Sequence, residues 1–210
     1  MKFTSTRGQA KEHCFEEALF SPGYLSDGGL LMPETIPSIS LELLKTWAGL
    51  SLPEVCKKVL PYFIDESEIS REDLEVVIDD AYSRLPLEQV AALSSFPNGL
   101  QVLELGNTKT LAFKDLSMFI MGRLLNYFLK KRSHHVTVMV GTSGDTGPSA
   151  IESVRGLDWI DIVVLFPKGY CMQVQELQMT TVFEDNVHVF AVDGSSDDVD
   201  EPIKAVSMDQ

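Results

Sequence analysis

The spacing of apolar residues changes character near the middle of the chain. Across residues 41–93 the apolar positions recur at helical spacing. They form three stretches, at 41–50, 52–64 and 70–85. The last stretch opens with Ser70 three residues before Asp73, which is the spacing of an amino-terminal helix cap. We therefore expect a helical unit here, preceded by a Gly- and Pro-rich segment of turns and short extended pieces.

After Gly99 the pattern changes to continuous apolar, β-branched runs separated by helical stretches. The runs lie at 136–140, 160–166 and 187–192, so that they begin 24 and 27 residues apart. This interval fits a strand, a crossover helix and the next parallel strand, and such strands are typically buried on both faces. The predicted fold is α/β: a helical amino-terminal domain (1–97) followed by an incomplete parallel-sheet βαβ domain (98–210).

One lysine stands at an unusual place in this pattern. From Asp115 onward, apolar side chains cover nearly every side of a predicted helix that ends in Lys130, Lys131 and Arg132. Lys114 precedes this helix, where both burial and the helix dipole favour a neutral amine, the form that reacts with carbonyl groups. The alternative is that the Lys114 side chain extends to solvent from the helix start.

A glycine-rich loop follows the first predicted strand. Gly141, Gly144 and Gly147 lie in VGTSGDTGPSA, with Pro148 placed for a first helical turn and Thr146 or Gly147 as its cap. A helix start at the carboxyl end of a strand can bind an anion. The GxxGxxG spacing matches neither the dinucleotide fingerprint nor the Walker loop. A binding site and a plain tight turn both remain open from the pattern alone.

Composition and charge limit the classes of partner that the chain is expected to bind. The net charge is −14, and only residues 98–183 are balanced, with 7 acids and 8 bases. An acidic chain disfavours nucleic-acid and anionic-membrane binding, so we expect a small phosphate-bearing ligand in the middle third. The spacing of cysteines and histidines indicates no metal site. No signal peptide or membrane span is evident, and we expect a cytoplasmic protein.

Four motifs in one order resemble the threonine synthase family, and within it the animal threonine synthase-like members of the second type. The motifs are STRG at 5–8, FEEALFSPGYLSDGGLLMPE at 15–34, TLAFKD at 110–115 and SGDTG at 143–147. The resemblance implies the tryptophan synthase β-like fold of type II pyridoxal-phosphate (PLP) enzymes. It implies that Lys114 holds the cofactor as a Schiff base, that Phe113 and Asp145 also contact it, and that the loop binds the substrate carboxylate. The implied loop residues are Ser143, Gly144, Asp145 and Thr146.

The resemblance also implies a reaction. Threonine synthases make threonine from O-phosphohomoserine, whereas the animal-like members resemble phospho-lyases. Phospho-lyases of this kind convert O-phosphohomoserine or O-phosphothreonine to 2-oxobutyrate, ammonia and phosphate. Lys109 and Arg155 are available for the departing phosphate, without a pattern that selects either.

Family members are roughly twice as long as this chain, so we expect it to be the front part of a longer protein or a truncated isoform. The alternative function is a non-enzymatic interaction or signalling protein, with unconventional export left open. Its partner would be a second copy meeting the exposed edge of the predicted sheet. A further alternative is a simple metabolite-binding α/β module that uses the glycine-rich loop.

Overall fold

The computed structural model describes residues 1–8, 12–21, 23–87 and 89–208. For residues 207 and 208 it describes the backbone alone. Pro22, inside one of the family motifs, and Gln210 lie outside the described residues. The chain divides into two compact units, Met1–Asp79 and Asp80–Gln210. The domain division at 97/98 stays a prediction. No helix in the described ranges is long and apolar enough to cross a bilayer.

The first unit consists of short elements and a two-stranded antiparallel sheet. Its elements are β1 (Phe3–Ser5), α1 (Phe15–Leu19), β2 (Leu31–Pro33), α2 (Leu41–Lys45), α3 (Leu52–Val59), a 3₁₀ turn (Leu60–Tyr62) and most of α4 (Arg71–Tyr82). The predicted cap is confirmed, because the Asp73 N–H donates to Ser70 Oγ at 3.1 Å. The three helical stretches are confirmed in shorter form, but α1 was not predicted.

The second unit contains a hairpin followed by alternating helices and parallel strands. Its elements are β3 (Ala92–Ser95), β4 (Gln101–Glu104), α5 (Asp115–Arg132), β5 (Val136–Gly141), α6 (Thr146–Val154), β6 (Ile160–Pro167), α7 (Gln173–Thr180), β7 (Val187–Val192) and α8 (Ser196–Met208). The parallel sheet has the order β5-β6-β7. The predicted α/β class is therefore confirmed, with the three strands and α5 at the predicted positions.

Burial of the three parallel strands differs from the prediction. In β6, Ile160, Ile162, Val164 and Phe166 are all buried, as expected of a central strand. The outer strands β5 and β7 are only partly covered, because each has a hydrogen-bonded neighbour on one side among the described residues. The expectation that all three strands are buried on both faces is therefore wrong: β6 is buried on one face and half-buried on the other, and the outer strands are covered less.

The core of the second unit places the helix after Lys114 against the helix after the glycine-rich loop. Phe119, Phe128 and Leu129 of α5 are buried. Gly122 permits the close approach of α6, since a Cβ there would lie 2.5 Å from the Ser153 carbonyl oxygen. The starts of α5 and α6 are thereby held within one rigid packing unit.

Candidate functional site

The segment before α5, residues 108–115, forms a tight turn that we call the lysine turn. Thr108 Oγ1 donates to the Ala112 carbonyl oxygen at 2.9 Å. Thr110 donates twice to the Asp115 carboxylate, from its N–H at 2.8 Å and from its Oγ1 at 2.7 Å. The Asp115 residue is 0% exposed, so these bonds replace the water that this carboxylate has lost.

Backbone strain marks the centre of the lysine turn. Leu111 adopts φ +64°, a left-handed conformation that costs a non-glycine residue about 1–2 kcal/mol. Its side chain is 72% exposed, so burial of that side chain offsets little of this cost. The hydrogen bonds of Thr108 and Thr110 therefore hold the turn. The result is that Lys114 occupies the N-cap position of α5.

The segment after β5, residues 142–147, is held differently, and we call it the glycine loop. Thr142 Oγ1 accepts the N–H groups of Gly144 and Gly147, at 3.1 and 3.0 Å. A Cβ on Gly147 would lie 2.4 Å from Met179 Sδ and 2.7 Å from Thr142 Cγ2, so this position requires glycine for close packing. The N-cap of α6 is Asp145 rather than Thr146 or Gly147, and the sequence prediction of the cap is wrong. Thr146 already has helical geometry.

The lysine turn and the glycine loop meet at the Lys114 amine. Lys114 Nζ donates to Asp145 Oδ1 at 3.0 Å and to Thr146 Oγ1 at 2.7 Å. The side chains of Lys114 and Asp145 are 31% and 48% exposed. The desolvation of the amine expected from the sequence is thus only partial, because the neighbour across the gap is a carboxylate and not an apolar side chain.

The Asp145 carboxyl responds to this contact. Its pKa is lowered from the ordinary value of 3.8, chiefly by the hydrogen bond from Lys114, while partial burial acts in the opposite direction. The charge of Lys114 and the N–H groups of Asp145 and Thr146 lower the pKa further. Asp145 is therefore held as a carboxylate beside the amine.

An open cavity of about 560 Å³ borders this pair. Phe113 and Asp145 line it, as do Gln175 and Gln178 from α7. Two of the predicted site residues, Phe113 and Asp145, thus line the same cavity. Lys114 contacts one of them, Asp145. The other predicted loop residues do not line the cavity: they are Ser143, Gly144 and Thr146.

The two basic residues considered for phosphate lie differently. Arg155 stands just beyond the carboxyl-terminal end of α6, roughly 13–15 Å along the helix from Asp145. It forms ion pairs there with Glu152 and Glu184. The structure therefore places Arg155 away from the cavity. Lys109 is exposed within the lysine turn.

Sequence reasoning missed the residues that position this site. They are Thr110, Asp115, Thr142 and Gln178, the last of which donates to the Thr110 carbonyl oxygen at 3.1 Å. An acid directly after a helix-start lysine was the available signal for Asp115. Nothing in the spacing of Gln178 indicates a partner 68 residues earlier.

Comparison with known proteins agrees with the motifs. A family model described as "Threonine synthase N terminus" matches residues 2–82. The proteins named Threonine synthase-like 2 from Rattus norvegicus and Homo sapiens are each 52% identical over 209 residues, spanning 100% of this chain and 43% of those proteins. The chain thus spans less than half the length of these curated relatives.

Solved structures extend the agreement to the fold. The structure titled as a PLP-bound threonine synthase from Brucella melitensis matches with a TM-score of 0.91 at 38% identity. The yeast threonine synthase matches with a TM-score of 0.90 at 34% identity. Both matches cover 100% of this chain, and 45% and 44% of those chains. The agreement runs along the whole chain: residues 2–82 carry the threonine synthase amino-terminal domain, and the chain as a whole is similar to threonine synthases in sequence and in fold.

Proposed function

We propose that this chain contributes the lysine-bearing side of a PLP site in a phospho-lyase. Its substrates are O-phosphohomoserine and O-phosphothreonine. Either one, with one water, gives 2-oxobutyrate, ammonia and phosphate. The observation that carries the proposal is the meeting of the Lys114 amine with Asp145 beside the cavity.

The residues present suit the cofactor. Asp145 and Phe113 provide a carboxylate and an aromatic ring to the cavity lining, and the Lys114 amine lies 3.0 Å from that carboxylate. PLP presents an aldehyde to an amine and a flat ring to neighbouring side chains, and the chemistry that it supplies is stabilisation of negative charge at the amino-acid Cα. Lys114 would hold it covalently, with Phe113 and Asp145 against its ring.

The chain's own groups then have distinct tasks. Lys114 Nζ, once released, is the base that takes the Cα proton of the substrate. Asp145 Oδ1, 3.0 Å away, accepts a hydrogen bond from that amine and so orients it. In the glycine loop, the Thr146 hydroxyl, 2.7 Å from Lys114 Nζ, would bind the substrate carboxylate, with Ser143 and Gly144 forming the loop beside it. The start of α6 favours the negative charge of that carboxylate.

Turnover by the 210-residue chain tests this proposal. With PLP and O-phosphohomoserine we expect 2-oxobutyrate and phosphate in equal amounts, detected in parallel by a dehydrogenase-coupled assay and a phosphate assay. Lys114→Ala removes the base, so both products should disappear. Lys130→Ala is the control, at an exposed position in the last turn of α5, and should keep both.

A second candidate is favoured by the apolar side chains left exposed near the cavity. Leu111, Phe113, Met172, Val174 and Leu177 are each at least half exposed. Such a surface is typical of a protein-binding patch, which fits an interaction or signalling role without catalysis. Equal release of 2-oxobutyrate and phosphate by the chain excludes this as its sole role. Absence of both products with both substrates contradicts the lyase proposal and leaves the interaction role.

A further inference from the structure

Helix α7 contacts both the lysine turn and the glycine loop. Gln175, Gln178 and Met179 are three and four residues apart, so they share one face of this helix. A Cβ on Gly144 would lie 2.4 Å from Gln175 Oε1, and one on Gly147 would lie 2.4 Å from Met179 Sδ. This face of α7 is therefore packed directly on the glycine loop.

From the same face, one side chain reaches the lysine turn. Gln178 Nε2 donates to the Thr110 carbonyl oxygen at 3.1 Å. The N–H and the hydroxyl of Thr110 are already bonded to Asp115. All the hydrogen-bonding groups of Thr110 are thus engaged, and its carbonyl is engaged by α7.

The other bonds that shape the lysine turn are local. Thr108 bonds Ala112 four residues away, and Thr110 bonds Asp115 five residues away. These bonds fix the conformation of the turn, whereas its place relative to the glycine loop depends on the packing of α5 against α6 and on contacts with α7. The bond from Gln178 spans 68 residues and ties the turn to the helix that packs on that loop.

We infer that Gln178 is a positioning residue, which adds to the packing of α5 against α6 and holds the Lys114 amine beside Asp145 by tying the lysine turn to α7. The inference deepens the proposed function and rests on it for its catalytic meaning. The tie itself acts on Lys114 and Asp145 whether or not a cofactor is present. Its failure and the failure of the proposed function can therefore be observed separately.

The test replaces Gln178 in the 210-residue chain. Gln178→Met keeps the length and helix propensity of the side chain but removes the N–H donor. Gln178→Leu also removes the donor without adding a charge near Asp145, so it carries the test if the first variant folds poorly. The matched control is Gln173→Met, at the exposed first position of α7.

Two readouts need no cofactor. The first is the titration of the Asp145 carboxyl by carbon-detected NMR. Since the Lys114 hydrogen bond is the main cause of its lowered pKa, that pKa should rise toward the ordinary value in both Gln178 variants. The second is the acetylation rate of Lys114 by acetic anhydride. It should increase about tenfold, the ratio expected for loss of one neutral hydrogen bond.

The Gln173→Met control shows whether an effect is specific to Gln178. Gln173→Met should leave both readouts at their wild-type values. If the Gln178 variants match this control in the Asp145 titration and in Lys114 acetylation, the inference is overturned. Failure of PLP to label Lys114 in the wild-type chain contradicts the proposed function and leaves these two measurements as they stand.

Discussion

The lysine turn and the glycine loop each place an aspartate at the start of a helix, but the two aspartates have different roles. Asp115 is fully buried and accepts two hydrogen bonds from Thr110. Asp145 is about half exposed and pairs with Lys114. The first carboxylate holds the backbone, whereas the second faces the cavity where chemistry could occur.

The two segments also differ in what holds them. The lysine turn depends on side-chain hydrogen bonds that hold Leu111 in a strained conformation. The glycine loop depends on the absence of side chains, because α7 packs where a Cβ at Gly144 or Gly147 would stand. Removal of a hydrogen-bonding side chain should therefore destabilise the lysine turn, and an added side chain should destabilise the glycine loop.

The largest expected effect comes from exchanging the two aspartates for alanine. Asp115→Ala leaves two buried donors on Thr110 without an acceptor and should lower the free energy of unfolding by about 2–4 kcal/mol. Asp145→Ala is the matched variant and should cost at most about 1 kcal/mol, because its ion pair is solvent-accessible. Urea denaturation followed by Trp159 fluorescence, in a Trp47→Phe background, reports on the second unit. Equal losses of unfolding free energy in the two variants would contradict the different roles of the two aspartates.

A smaller effect is expected from added volume in the glycine loop. Gly147→Ala places a methyl group against Met179 Sδ and Thr142 Cγ2 and should cost about 1–3 kcal/mol. Ser143→Ala, at an exposed position of the same loop, adds no volume. We expect it to cost less than Gly147→Ala in the same denaturation experiment. The reverse order would show that packing against Met179 does not hold the loop.

The smallest effect is the pH dependence of the Asp145 ion pair. The folded-state pKa of Asp145 is below the ordinary value of 3.8, so its stabilising contribution is fully present above about pH 4 and is lost as the pH falls through the folded pKa. The stability difference between wild type and Asp145→Asn should be at most about 1 kcal/mol at pH 7 and should shrink on acidification. Thermal unfolding from pH 7 to pH 3 measures it. A difference that grows as the pH falls would contradict the pairing.

The sequence predicts the parallel strands and α5 because their signals are local. Continuous β-branched runs and an apolar helix ending in three cations need no knowledge of distant contacts. The hairpin of β3 and β4 escapes this reasoning, because its strands are short, partly polar and largely exposed, so their residues show no buried face. The sequence indicates only a change of pattern after Gly99, which lies between the two strands of the hairpin.

The site is harder to predict than the fold. Family motifs suggest that Lys114 and Asp145 belong together, but their contact joins loops 31 residues apart and depends on how α5 packs against α6. The amine was expected in an apolar setting because Phe113 precedes it, yet Phe113 is 59% exposed and the amine bonds to a carboxylate and a hydroxyl. These features depend on tertiary packing, which the spacing of residues along the chain does not predict.

The most direct test of the central claim is covalent trapping of PLP on the 210-residue chain. After reconstitution, borohydride reduction and peptide mapping, we expect one label on Lys114, retained in Lys109→Arg and absent in Lys114→Arg. Lys109 is the matched control because it lies in the same turn but has no contact with Asp145 among the described residues. A label on another lysine, or none on the wild-type chain, would contradict the assignment of Lys114.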